Sequence, residues 1–415
     1  MFALVDGNNF YASCERVFDP SIRGKPVVVL SNNDGCAIAR SQEAKAIGIR
    51  MGHPIHLVTG EMRRQLAVRS ANFGLYGDMS ARVVSILRDT GCPVEVYSID
   101  ESFVDVSKIR DRETWGLELR DRIRRWTGIP NCIGIGPTKT LAKLANKLAK
   151  GGAGVIDLTD QTVRDEALET FPVGDLWGVG RRWAARLQER GIETATGLRG
   201  APTDYLLANF GVCIARTQRE LQGRTCIELE EVEPDRQQIM VSRSFGDRVE
   251  DHAAVNQAMA TFAVRACEKL RARGLIAAGV WIFAHTDPFR LDLKQHHPSR
   301  SLTLSVATSD TRIILSAISQ LQIGMLRRGH GYKKTGVALL DLGRPEECQA
   351  DLFQPVAVGN DRLMSTLDTI NKRFGRGTAG LGASGWDHKP KWGMRQLQLS
   401  PNYTGNLNSL PRVSC

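Results

Sequence analysis

The chain has 415 residues, so at about 100–200 residues per domain it should form two to four domains. Its 42% hydrophobic content supports folded cores, and its formal net charge of +10 favours an anionic partner, most simply nucleic acid. No apolar run approaches the roughly 20 residues of a membrane span, and the amino terminus lacks a signal-peptide pattern. Nine scattered cysteines indicate neither a zinc module nor a disulfide framework, so we expect a reduced, cytoplasmic protein with no membrane partner.

The first 165 residues alternate between strand and helix patterns. Strands are predicted over 1–5, 25–30 and 94–106, and helices from residue 9, over 37–48, over 112–127 and from residue 138. Such alternation indicates an α/β or α+β catalytic domain.

Three acidic residues interrupt these strands. Asp6 ends the opening strand, and Asp100 with Glu101 lies inside an apolar, β-branched run. Buried acids are costly unless a cation pairs with them, so strands that deliver three carboxylates to one place predict a divalent metal site. A two-metal phosphoryl or nucleotidyl transfer site is our working hypothesis. For Asp6 alone, a turn former or helix cap is the more common role.

The rest of the chain divides by composition. Residues 172–222 are predicted to be helical, and the polar, acidic stretch 228–238 is typical of a tether. Residues 239–343 follow a β-α-β-β-α-β pattern that indicates a small α+β domain. Beyond 343 the chain becomes rich in glycine and polar residues, and we expect a largely extended tail.

A basic stripe lies on the helix that begins near residue 138. Lys139, Lys143 and Lys147 recur every four residues, which places them on one helical face. The pattern alone leaves two interpretations open: a solvated face of an amphipathic helix, or a lysine that binds a triphosphate beside the carboxylates.

Several motifs together resemble those of the Y-family (translesion) DNA polymerases. They are Asp6 with FYASCE at 10–15, SIDE at 98–101 and TKTLAK at 138–143, in this order. SNNDGC at 31–36, WGVGRR at 177–182 and SRSFG at 242–246 are similar to the UmuC subgroup, which comprises the catalytic subunit of DNA polymerase V and its plasmid-borne relatives. Each motif is weak alone, but the ordered set covers essentially the whole chain.

The resemblance implies an α+β multidomain fold: a polymerase right hand whose palm has a mixed β-sheet, a little-finger domain and an extended C-terminal tail. The expected parts are the palm (1–10 and 74–165), the fingers (11–73), a thumb with a helix-hairpin-helix (166–230), a linker (231–238), the little finger (239–343) and the tail (344–415).

The resemblance also implies roles for residues of the catalytic cleft. Asp6, Asp100 and Glu101 would be catalytic and would hold two Mg²⁺ ions, with the Gly7 carbonyl as a backbone ligand. Tyr11 would be a steric gate that excludes a ribose 2′-hydroxyl; without the resemblance, a core aromatic is the simpler interpretation. The expected contacts to the deoxynucleoside triphosphate are Phe10, Lys45 and Lys143. Many relatives carry Tyr and Arg at the positions of Gln42 and Lys45, which leaves the contacts from the fingers open.

The remaining expected sites contact DNA and partner proteins. Gly178, Gly180 and Arg181 would bind primer-template DNA through a helix-hairpin-helix, with a simple interhelical turn as the alternative. Arg243 would add a sequence-independent contact from the little finger. Gln349, Leu352 and Phe353, in QADLF at 349–353, resemble the pentapeptide that docks on the β sliding clamp. The subgroup further implies association with a processed UmuD-like dimer and with RecA.

The resulting hypothesis is an error-prone translesion DNA polymerase without proofreading, acting in DNA repair and SOS mutagenesis. Two alternatives from other classes stay open on the sequence alone. One is a non-catalytic DNA-binding scaffold that recruits polymerases to the clamp, and the other is a palm-type phosphotransferase such as a nucleotide cyclase.

Overall fold

The computed structural model describes residues 1–231, 235–347, 360–375, 377–385 and 390–405. The chain divides into two compact units. The first unit contains 1–31, 35–231 and 398–405, and the second contains 32–34 and the described part of 235–397.

Strands and helices account for most of the described residues. The strands are β1 (Phe2–Gly7), β2 (Val27–Leu30), β3 (Ala37–Arg40), β4 (Ala67–Ser70), β5 (Val94–Val96), β6 (Glu101–Asp105), β7 (Asn131–Gly136), β8 (Val155–Asp157), β9 (Gln238–Val249), β10 (Ile276–Thr286), β11 (Ser299–Thr308) and β12 (Tyr332–Gly343). The helices are α1 (Phe10–Phe18), α2 (Gln42–Ala46), α3 (Gly60–Gln65), α4 (Phe73–Arg88), α5 (Arg112–Thr127), α6 (Lys139–Ala149), α7 (Gln161–Glu169), α8 (Arg181–Gln188), α9 (Ala195–Gly200), α10 (Thr203–Phe210), α11 (Val212–Leu221), α12 (His252–Arg271), α13 (Thr311–Gln322) and α14 (Asp361–Phe374).

A mixed five-stranded sheet, in the order β5-β6-β1-β7-β8, forms the centre of the first unit. Strand β1 runs antiparallel to both neighbours, and β7 and β8 are parallel. Because successive side chains of a strand point to opposite faces, Ala3 and Val5 face the apolar side of α4 and α5. Leu4 lies on the other face with Ala142 of α6, and by the same alternation Asp6 points to the α6 side. The predicted mixed sheet is confirmed.

Helix α6 packs unusually close to this sheet. A Cβ atom at Gly134 of β7 would lie 2.0 Å from the backbone nitrogen of Asn146 and 2.3 Å from the carbonyl oxygen of Ala142. Only glycine fits there, and Asn146 also donates hydrogen bonds to the carbonyls of Leu4 and Cys132. The close approach fixes the lysine-bearing helix beside the ends of β1 and β6.

The other predicted elements of the first unit differ in detail. The charged helix is confirmed as α5, but residues 37–40 form strand β3 rather than the start of a helix. Strand β3 pairs antiparallel with β2. Its backbone N–H and C=O groups therefore form hydrogen bonds with β2 in place of the internal hydrogen bonds that a helix would have formed. The predicted strand over 94–106 is a hairpin, because residues 97–100 turn between β5 and β6. Helices α8 to α11 confirm the predicted helical region.

The second unit contains the predicted β-α-β-β-α-β domain. Its sheet has the order β11-β10-β12-β9 and is antiparallel throughout. Helices α12 and α13 cover one face, where Val255 and Ile314 pack against strand residues such as Ile282.

The segment after residue 343 is more structured than expected. It contains α14, whose Asp368 makes a bidentate ion pair with Arg271 of α12 at 2.7 Å. The predicted tail is therefore extended only in part. The clamp-binding pentapeptide, with Gln349, Leu352 and Phe353, lies outside the described residues. Among the described residues, every helix is too short or too polar to cross a membrane.

Candidate active site

The three acidic residues meet at one edge of the central sheet. Asp6 and Glu101 are directly opposite each other in the β1–β6 pair, where Cα atoms are about 4.5–5.5 Å apart. The backbone N–H of Gly7 donates to the carbonyl of Asp100 at 2.9 Å, which holds the third acid beside the first. All three acids line the same cleft. Strand pairing thus brings together residues that are nearly 100 positions apart in sequence.

The electrostatics of this cluster are dominated by burial. Asp6 is only 6% exposed, and burial raises the pKa of its carboxyl to about 6. The negative charges of Glu101 and Asp100 raise the pKa further, whereas Lys150, 2.6 Å away, lowers it. The ion pair with Lys150 therefore offsets only part of the cost of burying a negative charge at Asp6.

The other two acids are also held in fixed positions. Both carboxylate oxygens of Glu101 accept hydrogen bonds from Lys143 at 3.0 Å. The Ser98 hydroxyl donates to Asp100 at 2.8 Å and also accepts from the backbone N–H of Glu101. The serine of the SIDE motif thus orients both acids that follow it.

The donor set suits a divalent cation. Among the described residues no three acidic, histidine or cysteine side chains stand together as a ready metal site. Lysines contact both Asp6 and Glu101. The cost of burying a negative charge at Asp6 is nevertheless what a bound cation would relieve, and hard carboxylate oxygens are the ligands that Mg²⁺ prefers. Asp6, Asp100, Glu101 and the Gly7 backbone could hold such an ion. A Cβ at Gly7 would meet the Phe10 ring at 2.8 Å, so only glycine fits there.

Three basic residues, here called the cationic wall, line the same cleft as the acids, which has a volume of about 460 Å³. They are Arg40 of β3, Lys45 of α2, and Lys150 just after α6. Burial lowers the pKa of Lys45, and the charges of Arg40 and Lys150 lower it further. The Arg40 Nε atom is buried without a hydrogen-bond partner among the described residues. A cluster of cations with an unsatisfied donor suits an anionic ligand such as a triphosphate.

Two members of this wall were not predicted from sequence. Lys150 follows Lys147 by three residues and extends the basic stripe, which was the signal available for it. Arg40 falls in a stretch predicted to be helical, and its position became apparent only with strand β3.

Lys143, by contrast, lies outside the lining of this cleft. Its Nζ atom sits 4.6 Å from the ring centroid of Tyr97 and 5.3 Å from that of Trp177, in addition to its contact with Glu101. Lys143 is thus the counter-charge of Glu101, and it lines an adjoining cleft with Asp6, Glu101 and Lys150, so its contact with the triphosphate stays a prediction.

Tyr11 lines the cleft next to the acids. Its ring stacks on Tyr76 of α4, with centroids 4.4 Å apart and an interplanar angle of 14°, and Phe73 packs edge-on against it. Phe10 also borders the cleft but is largely buried in the core beneath it.

The residues predicted to bind DNA lie at exposed positions. Gly178 has a positive φ of 84°, and Gly180 immediately precedes α8, where Arg181 is exposed. The element before this turn is a single 3-10 turn, Val173–Asp175, so the first helix of the hairpin is very short. In the second unit, Arg243 is an exposed side chain of β9, near enough to Lys269 of α12 to lower the pKa of that lysine after the larger effect of burial.

Comparison with known proteins identifies the family. The impB/mucB/samB family model matches residues 5–147, the C-terminal domain of that family matches 236–352, and a domain of unknown function (DUF4113) matches 361–413. Protein UmuC of Salmonella typhimurium is 42% identical over 100% of both chains. DNA polymerase IV of Moorella thermoacetica is 29% identical over 90% of this chain and 93% of its own.

Solved structures agree on the fold. A chimera of the Y-family DNA polymerases Dbh and Dpo4 superimposes with a TM-score of 0.64 and 20% identity, covering 83% of this chain and 100% of that one. Together these relatives show that the chain is a DNA-directed DNA polymerase. It belongs to the impB/mucB/samB family, as a UmuC-type member of the Y-family translesion DNA polymerases.

Proposed function

We propose that the chain adds deoxynucleotides to a primer 3′-hydroxyl with two Mg²⁺ ions held by Asp6, Asp100 and Glu101, and that the Gly7 carbonyl completes the ligand set. The observation that carries this proposal is the cleft itself, which is lined by three carboxylates and by the cationic wall. Bound Mg²⁺ would lower the pKa of the attacking hydroxyl and neutralise charge on the pyrophosphate leaving group.

The chain's own residues perform the positioning. Arg40, Lys45 and Lys150 bind the triphosphate as fixed positive charges, so that the α-phosphate lies toward the acids. Lys143 holds the carboxylate of Glu101 in place and would also contact the triphosphate. Because Lys150 contacts Asp6 at 2.6 Å, its transfer to the triphosphate would free Asp6.

Tyr11 acts as the steric gate for the sugar. The face of its ring is fixed against Tyr76, so the ring cannot turn away from a ribose 2′-hydroxyl at low cost. Exclusion, rather than attraction, then selects deoxynucleotides.

The family supports further roles, which we propose for this chain. They are error-prone synthesis without proofreading, action in SOS mutagenesis, cytoplasmic location, and association with a processed UmuD-like dimer, RecA and the β sliding clamp. The clamp contact would use Gln349, Leu352 and Phe353, and Gly178, Gly180, Arg181 and Arg243 would contact DNA backbone phosphates.

Primer extension with Mg²⁺ tests the catalytic assignment. Asp100→Ala should abolish incorporation, since it removes a proposed metal ligand. The matched control is Asp105→Asn at the other end of strand β6, where the acid accepts hydrogen bonds from Ser107 far from the cleft lining. That control should extend primers as the wild type does. Incorporation that survives Asp100→Ala would defeat the assignment of these acids, whereas a wild type that incorporates no nucleotide would favour the scaffold alternative.

A further inference from the structure

A short C-terminal segment packs against the fingers side of the first unit. Residues 398–403, here called the C-terminal brace, lie beside the end of strand β4. The backbone N–H of Ser70 donates to the carbonyl of Gln398 at 2.9 Å, and the backbone N–H of Gln398 donates to the Ser70 hydroxyl at 3.0 Å. Ser70 and Leu399 form a parallel bridge. The brace is therefore held by strand-like pairing.

The brace also contacts the start of helix α4. Asn72 caps this helix by accepting a hydrogen bond from the backbone N–H of Leu75 at 3.2 Å. The side-chain amide of the same residue donates to the Ser400 hydroxyl at 3.0 Å. One asparagine thus joins the brace to the helix that carries Tyr76.

A buried carboxylate connects the brace to the proposed gate. Glu15 of α1 is 0% exposed, and its Oε1 atom accepts from the Tyr76 hydroxyl at 2.7 Å and from the Ser400 hydroxyl at 3.1 Å. Its Oε2 atom has no hydrogen-bond partner among the described residues, and Arg69 lies 4.0 Å away. A buried acid with so few donors depends strongly on each of them.

One face of α1 carries the proposed gate, Tyr11, and the two residues that contact the brace, Glu15 and Phe18. Tyr11, Glu15 and Phe18 are spaced four and three residues apart, so they lie along one side of the helix. Tyr11 stacks on Tyr76, and at the other end Phe18 stacks on Tyr403 of the brace, with centroids 5.1 Å apart and an angle of 7°. The brace therefore holds the helix on the side that sets the position of the Tyr11 ring.

We propose that the C-terminal brace positions the Tyr11 gate through Ser400, Glu15 and Tyr76, and so contributes to the discrimination between deoxyribonucleotides and ribonucleotides. This proposal rests on the proposed function of Tyr11. It gives a role to residues 398–403, which lie inside the domain of unknown function matched over 361–413. Ser400 is a positioning residue, because it reaches the gate only through Glu15 and Tyr76.

The test is a comparison of insertion kinetics in the full-length chain, assembled with any accessory proteins that the wild type requires. The quantity is the ratio of kcat/KM for a deoxynucleotide to that for the matching ribonucleotide. Ser400→Ala should lower this ratio by about three- to tenfold, since displacements below 1 Å at a steric contact change relative rates. Tyr403→Leu, which removes the stack on Phe18, should act in the same direction. Leu399→Ala, in a half-exposed position of the same segment, is the matched control and should leave the ratio unchanged.

A double-mutant comparison separates positioning from general loosening of the fold. In a Tyr11→Ala background the gate is absent, so Ser400→Ala should no longer change the ratio. An equal effect of Ser400→Ala with and without Tyr11, or none in the wild type, would overturn the brace proposal. Failure of the proposed function looks different: either the wild type does not extend primers, or Tyr11→Ala alone leaves the sugar preference unchanged.

Discussion

The chemistry proposed for this polymerase depends on three acidic side chains. Asp6, Asp100 and Glu101 meet at one edge of the central sheet, and two of them pair with lysines, Glu101 with Lys143 of α6 and Asp6 with Lys150 just after that helix. If metal ions bind these carboxylates, as we propose, they compete with the lysines for them.

Competition between protons and metal ions for the Asp6 carboxylate predicts a metal affinity that depends on pH. Because burial raises the pKa of Asp6 to about 6, the carboxyl is mostly protonated below that pH and ionised above it. A proton must leave before a metal binds, so the dissociation constant of Mn²⁺ or Mg²⁺ should increase as the pH falls from 7.5 to 5.5. Calorimetric titration of the full chain at several pH values measures this. Asp6→Asn should bind weakly at every pH, and an affinity of the wild type that stays constant across the range would contradict the prediction.

The gate leads to a second prediction at this scale. Tyr11→Ala removes the ring that limits space under the sugar, so ribonucleotide insertion should increase by about 100-fold or more relative to deoxynucleotide insertion, the loss expected when a steric exclusion disappears. Tyr11→Phe retains the ring and should keep the preference of the wild type. Single-nucleotide insertion kinetics on one template measure both. An unchanged preference in Tyr11→Ala would remove the gate role.

Among the secondary-structure elements, helix α6 carries a series of lysines that the sequence alone could not interpret. Its lysines form neither a simple solvated stripe nor a uniform phosphate-binding surface. Lys139 pairs with buried Glu95, Lys143 with Glu101, and Lys147 with Asp175. Each lysine has an acidic partner from a different part of the first unit.

The buried pair of Lys139 and Glu95 predicts a large effect on stability. Lys139 is 1% exposed, and it also donates to the carbonyl of Glu228 at 2.6 Å. Lys139→Met leaves Glu95 as an unpaired buried charge, so unfolding free energy should fall by about 3–5 kcal/mol. Arg64→Met, which breaks an exposed pair with Glu61, should change it by less than about 1 kcal/mol. Urea denaturation measures both. Equal, small effects would show that burial of the first pair contributes little.

Secondary structure was predictable where the pattern was long and periodic. Helix α5 occurs at its predicted bounds, and the second unit has the predicted β-α-β-β-α-β order of elements. Strand β3 was not predictable in this way, because Ala37 to Arg40 is Ala-rich and its strand state depends on pairing with β2. The acids were found because charge is rare in apolar strands. Arg40 and Lys150 were missed because their roles depend on tertiary contacts.

For the whole molecule, excess positive charge predicts how DNA binding responds to salt. The chain carries a net charge of +10, and Arg181 and Arg182 are exposed at the start of α8. If each contacts a phosphate, Arg181→Gln and Arg182→Gln should each reduce the slope of log K against log salt by about 0.9, equally for all sequences.

The control for this measurement is Arg125→Gln on α5, which covers the sheet face opposite the acids. Its slope should match that of the wild type. Fluorescence anisotropy with labelled primer-template DNA at several salt concentrations provides the data. A loss that depended on DNA sequence would indicate contacts to bases instead of phosphates.

The most direct test of the account is a crystal structure of the chain with primer-template DNA, an unreactive deoxynucleoside triphosphate and Mn²⁺. Anomalous scattering from Mn²⁺ locates the ions independently of the protein. We predict two anomalous peaks within coordination distance of Asp6, Asp100 and Glu101, with Lys150 moved from Asp6 onto the triphosphate. Ions bound elsewhere, with Asp6 and Glu101 still held by lysines, would contradict the central claim that the three carboxylates form the catalytic metal site.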